Sequence, residues 1–143
     1  LIANSYMDII SNEKEKTIIS SACPAVVSFI QKYYAELVPN LAKVVSPMIA
    51  LGRYLRQNQD EDVKIVFIGP CVAKKHEAQD ENVAGVIDSV LTFTELKEMF
   101  EQHSINVDEL EETDFDGPYA MMGKAYPLAG GLLKTTDVVD DIL

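Results

Sequence analysis

Only two cysteines occur in the 143 residues, Cys23 and Cys71, and they stand 48 positions apart. A secreted disulfide framework normally carries more, so a disulfide-stapled scaffold is excluded. Two thiols also cannot supply the four thiolates of a complete cluster site. Basic residues are equally scarce: 12 Lys and Arg stand against 23 Asp and Glu, a formal charge of −11. Phosphate backbones are bound through basic patches, so nucleic acid is not expected as a partner. No run of about 18 apolar residues is present, so no membrane span is expected. The N-terminus lacks the basic-then-apolar pattern of a secretory signal, which points to cytoplasmic residence. The first residue is Leu1 rather than Met, and residues 1–143 are expected to be a single lobe cut from a longer protein. Against these absences stands an ordinary globular balance, 48% hydrophobic and 24% charged, in a length that suits one domain.

The pattern along the chain alternates between strand and helix. Residues 3–11 read as a short helix, and Thr17 to Ala22 as a short buried strand rich in β-branched residues. Cys23-Pro24 follows, with proline suited to a first helical position, and Val26, Val27, Ile30, Tyr33, Tyr34 and Leu37 give residues 24–38 a helical stripe. Tyr33, Tyr34 and the methionines read as core. Ser46-Pro47 opens another helix, with Ser46 as its cap and Met48, Ile49, Leu51, Tyr54 and Leu55 facing inward. Residues 63–68 are near-continuously apolar, as in a central parallel strand covered on both faces, and run into Gly69-Pro70-Cys71. Residues 86–91 form a third strand. Thr92 and Glu95 have capping-box spacing at the start of a helix over 93–103, with Phe93, Leu96, Met99 and Phe100 inward. The acidic stretch from Asp108 to Asp116 reads as a solvated loop, since its spacing does not fit a calcium loop. Gly117 to Leu133 is glycine-containing and reads as a loop closing against a site.

This alternation predicts a three-layer α/β unit, a small parallel sheet flanked by helices. Ligands of such folds gather at the carboxyl ends of strands, where both thiols are expected. For Cys23 the helix dipole at that position favours a thiolate. From the residues alone, one bridge, two buried thiols and two metal ligands all remain open. Lys74 is a candidate for lining a site, Lys75 is expected in solvent, and His76 and His103 read as exposed or capping residues. No Ser–His–Asp arrangement, paired carboxylates or phosphate loop is present.

Two stretches resemble motifs of the iron-only hydrogenase catalytic domain. Ser20-Ser21-Ala22-Cys23-Pro24-Ala25-Val26 is similar to the family's T-S-C-C-P-x-W, and Gly69-Pro70-Cys71-Val72-Ala73-Lys74-Lys75-His76-Glu77 to its M-P-C-x-x-K-K-x-E. Ser46-Pro47-Met48, residues 88–96 and the loop from Lys124 to Leu133 add weaker matches in the same order. The resemblance implies a 4Fe–4S cubane joined to a two-iron subcluster, with Cys23 and Cys71 as two of four cubane ligands. It implies that Lys74 and Ser46 line the adjoining cofactor site and that Glu77 has a structural role. Three positions depart from the pattern: Ala22 stands where the family carries a proton-relay cysteine, Val26 replaces a tryptophan and Gly69 a methionine. The third motif, C-x-x-x-C, does not occur.

These features imply one lobe of a hydrogenase-like domain acting in redox or hydrogen sensing or in electron transfer, with weak or no hydrogen turnover. Such an oxidoreductase-like lobe would work beside the remaining lobe and ferredoxin-like or signalling domains of the parent protein, and the fragment alone would lack its cofactor. An apolar patch around Cys23, Cys71 and residues 123–131 is expected, and would favour a homodimer of the isolated fragment. The alternative is a metal-free interaction module that keeps the fold; a redox dithiol is a third reading.

Overall fold

Proline and hydroxyl residues set where the helices start. In the computed structural model, which describes residues 2–13, 15–59, 62–119, 121–128 and 130–135, the first helix, α1, runs Ile2–Asn12 and buries Tyr6. The second, α2, opens at Pro24 as expected but spans Pro24–Tyr33. Tyr34 leaves the helical region (φ −139°, ψ 58°), and the chain tightens into a 3-10 helix over Ala35–Asn40. Pro39, inside that turn, has no N–H to donate and disfavours α geometry in the residue before it. The helix expected to reach residue 38 is therefore divided.

Thr17 to Ala22 is not a strand. Ile19 makes one isolated parallel bridge to Leu41, donating to the Asn40 carbonyl and accepting from the Ala42 N–H, both at 2.8 Å. The next two donors turn to side chains: the Ser21 N–H reaches the Tyr6 hydroxyl at 2.9 Å and the Ala22 N–H the Ser20 hydroxyl at 3.3 Å. Local side-chain acceptors thus take the donors that a ladder requires.

Helix α3, Pro47–Asn58, is capped by Ser46 as expected. Its inward face differs from the expected stripe. Met48, Ile49 and Gly52 are buried, whereas Leu51 and Tyr54 are exposed. Gly52 lets the helix approach the 86–87 segment closely: a Cβ there would lie 2.7 Å from Ile87 Cδ1 and 2.8 Å from Val86 Cγ1.

The sheet is two parallel strands, β1 (Val66–Ile68) and β2 (Ser89–Leu91), paired Val66 with Ser89, Phe67 with Val90 and Ile68 with Leu91. Both are shorter than the apolar runs that contain them. Asp88 sets the boundary, because its carboxylate accepts the Ile65 N–H at 2.7 Å where a ladder carbonyl would otherwise sit. The same carboxylate pairs with Arg56 of α3 and with Lys64 at 3.6 Å. Between the strands lies α4, Ala73–Ala78, which packs on β2 and on α2. After β2 comes α5, Phe93–Gln102, with both halves of the Thr92–Glu95 capping box formed. Phe93 and Met99 are exposed rather than inward, while Leu96 and Phe100 are half-buried.

The core gathers Met48 and Ile49 of α3 with Ile65, Val83, Ile87 and Val90. Fully burying a side chain such as Ile49 stabilises by about 1.5–3 kcal/mol. Phe67 packs on this cluster, but Val66 and Ile68, on the other face of β1, are exposed, so the strand is covered on one side only. Tyr33 and Tyr34 are also exposed and stack around Phe29, not in the core. The acidic stretch is solvated, with one short 3-10 turn at Val107–Glu109. A further 3-10 turn, Met121–Ala125, and a short helix, α6 (Gly131–Lys134), follow. The result is the expected α/β arrangement, a small parallel sheet flanked by helices, and no helix among the described residues is long and apolar enough to cross a membrane.

Candidate functional site

The first thiol sits on a segment held from below. The Tyr6 hydroxyl lies 3.0 Å from Ser20 Oγ and 3.3 Å from Ser21 Oγ, and accepts the Ser21 N–H. Ser21 Oγ in turn donates to the Val44 carbonyl at 2.5 Å. Two residues on, Cys23 occupies the N-cap position of α2 in extended geometry, with no side-chain cap bond and an exposed side chain. It follows a single bridge rather than a true strand, so only Cys71 stands past the carboxyl end of a strand.

The second thiol follows β1. The Gly69 N–H continues the ladder to the Leu91 carbonyl at 3.0 Å. Cys71 is half-buried, and its carbonyl accepts the Lys74 N–H at 3.2 Å, making the turn that starts α4. Lys74 and Glu77 form an ion pair one helical turn apart, Nζ to Oε2 2.8 Å, with side chains 12% and 15% exposed. Lys75 is not free in solvent: it pairs with Glu95 of α5, and both side chains are partly covered. The Lys75 contact, followed by the Thr92 N–H and hydroxyl, lowers the Glu95 carboxyl to about 2. His76 is exposed, and His103 is the exposed C-cap residue of α5.

The two motif segments and Ser46 meet at one cavity. It has a volume of about 500 Å³ and lies beside α2, the Ala35–Asn40 turn and α4. Ser21 and Pro24 contribute from the first motif, His76 and Glu77 from the second, and Ser46 from the α3 cap. Ser46 is 1% exposed, and its hydroxyl accepts the Ile49 N–H at 3.5 Å. Asp80, on the same wall, has its carboxyl lowered by hydrogen bonds from the Asn82 backbone and side chain. Cys23, Cys71 and Lys74 do not line this cavity; Cys23 precedes the lining residue Pro24, and Lys74 is paired with the lining residue Glu77.

The thiol donors are Cys23 and Cys71. Both thiols are free of any disulfide, and soft thiolates suit iron–sulfur or zinc. Among the described residues no group of three or more His, Cys, Asp or Glu is placed to hold a metal ion. Two thiols fall short of the four thiolates of a 4Fe–4S site, so the described residues do not by themselves complete one.

Sequence reading missed Tyr6, which anchors the first motif from a helix with no motif of its own, and Lys75, whose partner lies 20 positions away. A β-branched run or paired lysines carry no signal of such contacts.

The family described as iron only hydrogenase large subunit, C-terminal domain, matches residues 2–142. Iron hydrogenase 1 of Clostridium pasteurianum is 30% identical over 146 residues, a match covering 92% of this chain and 25% of that protein. The cytosolic Fe-S cluster assembly factor NAR1 of Vanderwaltozyma polyspora is 34% identical over 84 residues, covering 59% and 16%. The fold is similar to that of apo FeFe-hydrogenase HydA1 from Chlamydomonas reinhardtii in a single-residue variant, with a TM-score of 0.69 and 25% identity over 81% of this chain and 33% of that one. The chain thus spans a quarter or less of these two curated relatives.

Proposed function

This chain belongs to the family described as iron only hydrogenase large subunit, C-terminal domain, and from that premise we propose that it is an iron–sulfur-binding lobe. Cys23 and Cys71 would donate two thiolates to a 4Fe–4S cluster whose other ligands come from outside these residues. Lys74 and Ser46 would line the adjoining space, which in the complete protein could include a two-iron subcluster. A 4Fe–4S cluster supplies one-electron redox chemistry when bound.

The observation that carries this reading is the convergence of both motif segments and Ser46 on one cavity. The chain's own residues would do three things there. Tyr6 and the Ser21–Val44 bond hold the first thiol's segment. The Lys74–Glu77 pair holds an ammonium on the helix that follows the second. Ser46 caps α3 at the cavity wall.

The role is redox sensing, hydrogen sensing or electron transfer, with little or no hydrogen turnover, because Ala22 offers no acid–base group where the family resemblance places its relay cysteine. The remaining lobe and any ferredoxin-like or signalling domains of the parent protein would be its partners. Relatives that are cytosolic Fe-S cluster assembly factors support an iron–sulfur role and a cytoplasmic location.

Anaerobic reconstitution of the protein carrying this chain, followed by iron analysis and electron paramagnetic resonance, tests the reading. Cys23→Ala and Cys71→Ala are each expected to lower bound iron and change the spectrum. Unchanged iron in both variants removes the ligand assignment. Absence of any cluster in the wild type would leave the metal-free interaction module as the better description.

A further inference from the structure

Cys71 stands on a turn whose following helix has little support of its own. Helix α4 has six residues, too few for a helix to hold itself in water. Its N-cap residue, Val72, makes no side-chain cap bond, and its first turn holds no acidic side chain. The Lys74–Glu77 pair lies within α4 and does not fix where the helix sits. Apolar packing on β2 and α2 is non-directional, so the register of the turn has to come from polar contacts.

Two such contacts flank the thiol. Ahead of it, the Gly69 N–H donates to the Leu91 carbonyl at 3.0 Å. The Phe67 ring closes over Gly69 there, where a Cβ would meet its Cε1 at 2.8 Å. Beyond the thiol, Lys75 pairs with Glu95. Among the described residues this is the one side-chain hydrogen bond or ion pair that joins α4 to another element. Both anchors fall on the same stretch, Leu91 to Glu95, where β2 passes into α5.

An ion pair between partly exposed side chains ordinarily gains little, because two flexible chains are ordered to form it. Here one is ordered beforehand. Glu95 Oε2 already accepts the Thr92 N–H at 2.7 Å and the Thr92 hydroxyl at 2.8 Å, which leaves Oε1 for the ammonium. Only the Lys75 side chain loses freedom when the pair forms.

We propose that Glu95 is a positioning residue for Cys71: through Lys75 it fixes the start of α4 and, together with the Gly69–Leu91 bond, pins the thiol-bearing turn at both ends to residues 91–95. One capping-box carboxylate thus serves α5 and the second thiol at once. The functional meaning rests on the iron–sulfur reading, since a ligand has to be held in one geometry; the placement of the thiol itself needs no metal.

The test uses the protein carrying this chain after chelation of any bound iron, and compares alkylation of Cys71 with that of Cys23 by peptide mass spectrometry. Cys23 is exposed and belongs to the other motif segment, so it serves as the internal standard. Lys75→Met keeps an apolar stem and leaves the capping box intact. It is expected to raise the Cys71-to-Cys23 rate ratio by up to roughly fivefold, the local opening that loss of one such pair allows. Removing a nearby cation would by itself slow a thiol by favouring its protonated form, so an increase reports position and not charge. Lys75→Arg is expected to keep the wild-type ratio. Ile49→Val loosens the core without touching either anchor and is expected to leave the ratio unchanged.

An unchanged or lower ratio in Lys75→Met overturns the proposal. So does an equal rise in Ile49→Val, which would mark general loosening, or a rise in Lys75→Arg that matches Lys75→Met. Should Lys75→Met fail to fold, Lys75→Gln takes its place with the same outcomes. Wild-type protein that binds no iron would remove the ligand reading alone, because the alkylation ratio is read without metal.

Discussion

Lys74 and Glu77 hold each other at 2.8 Å in a setting that leaves only 12% and 15% of their side chains exposed. Ion pairs in open solvent contribute little, but removing one partner from a largely buried pair strands the other. Glu77→Gln is therefore expected to cost about 1–3 kcal/mol in urea denaturation. A loss below about 0.5 kcal/mol would mean that water already satisfies the ammonium.

The Lys75–Glu95 pair makes stability depend on acid. Glu95 titrates at about 2 instead of the ordinary 4.5, so its charged form stabilises the fold above the ordinary value. That contribution is lost as pH falls from 4.5 toward about 2. Asp88, lowered first by the Ile65 N–H, acts in the same direction. Glu95→Gln keeps an acceptor for the capping box but removes the charge. Thermal melts across this range are expected to show wild type more stable near neutrality, with the gap closing toward the acid end. A constant gap would show that the pair is not what titrates.

Tyr6 is 2% exposed and serves three partners in the first motif. Tyr6→Phe keeps the ring but leaves the Ser21 N–H without its acceptor. The expected cost is about 1–3 kcal/mol, read as a lower urea midpoint with an unchanged slope.

Gly52→Ala sets two effects against each other. Alanine improves helix propensity by about 1 kcal/mol. The new methyl would meet Ile87 and Val86 below 3 Å, and overpacking costs about 1–3 kcal/mol. The close approach is expected to win by about 1 kcal/mol; a stabilised variant would show that Val86 and Ile87 give way freely.

Local rules were legible in the sequence where one residue type decides the outcome. Pro24 and Pro47 start helices, and Thr92 with Glu95 builds its capping box. Strand lengths were not legible, because a carboxylate from Asp88 replaces a ladder carbonyl at Ile65, and an apolar run looks the same with or without it. Residues 17–22 have strand composition, yet their donors go to Tyr6 and Ser20. The inward face of α3 shifted because Gly52, which has no hydrophobic signal, marks the closest approach. Of the site, the motif segments and Ser46 were found by their residues, while the tethers behind them are long-range contacts between side chains with no pattern.

The segments that carry the two cysteines are held by different supports, Ser21 by a tyrosine phenol from α1 and Gly69 by the end of the β1–β2 ladder. A cluster gripped by both would act as a clasp between these moorings. Iron loss should then be felt first as slack between them, with faster hydrogen exchange at Ser21 and Gly69, while the core around Ile49 stays closed.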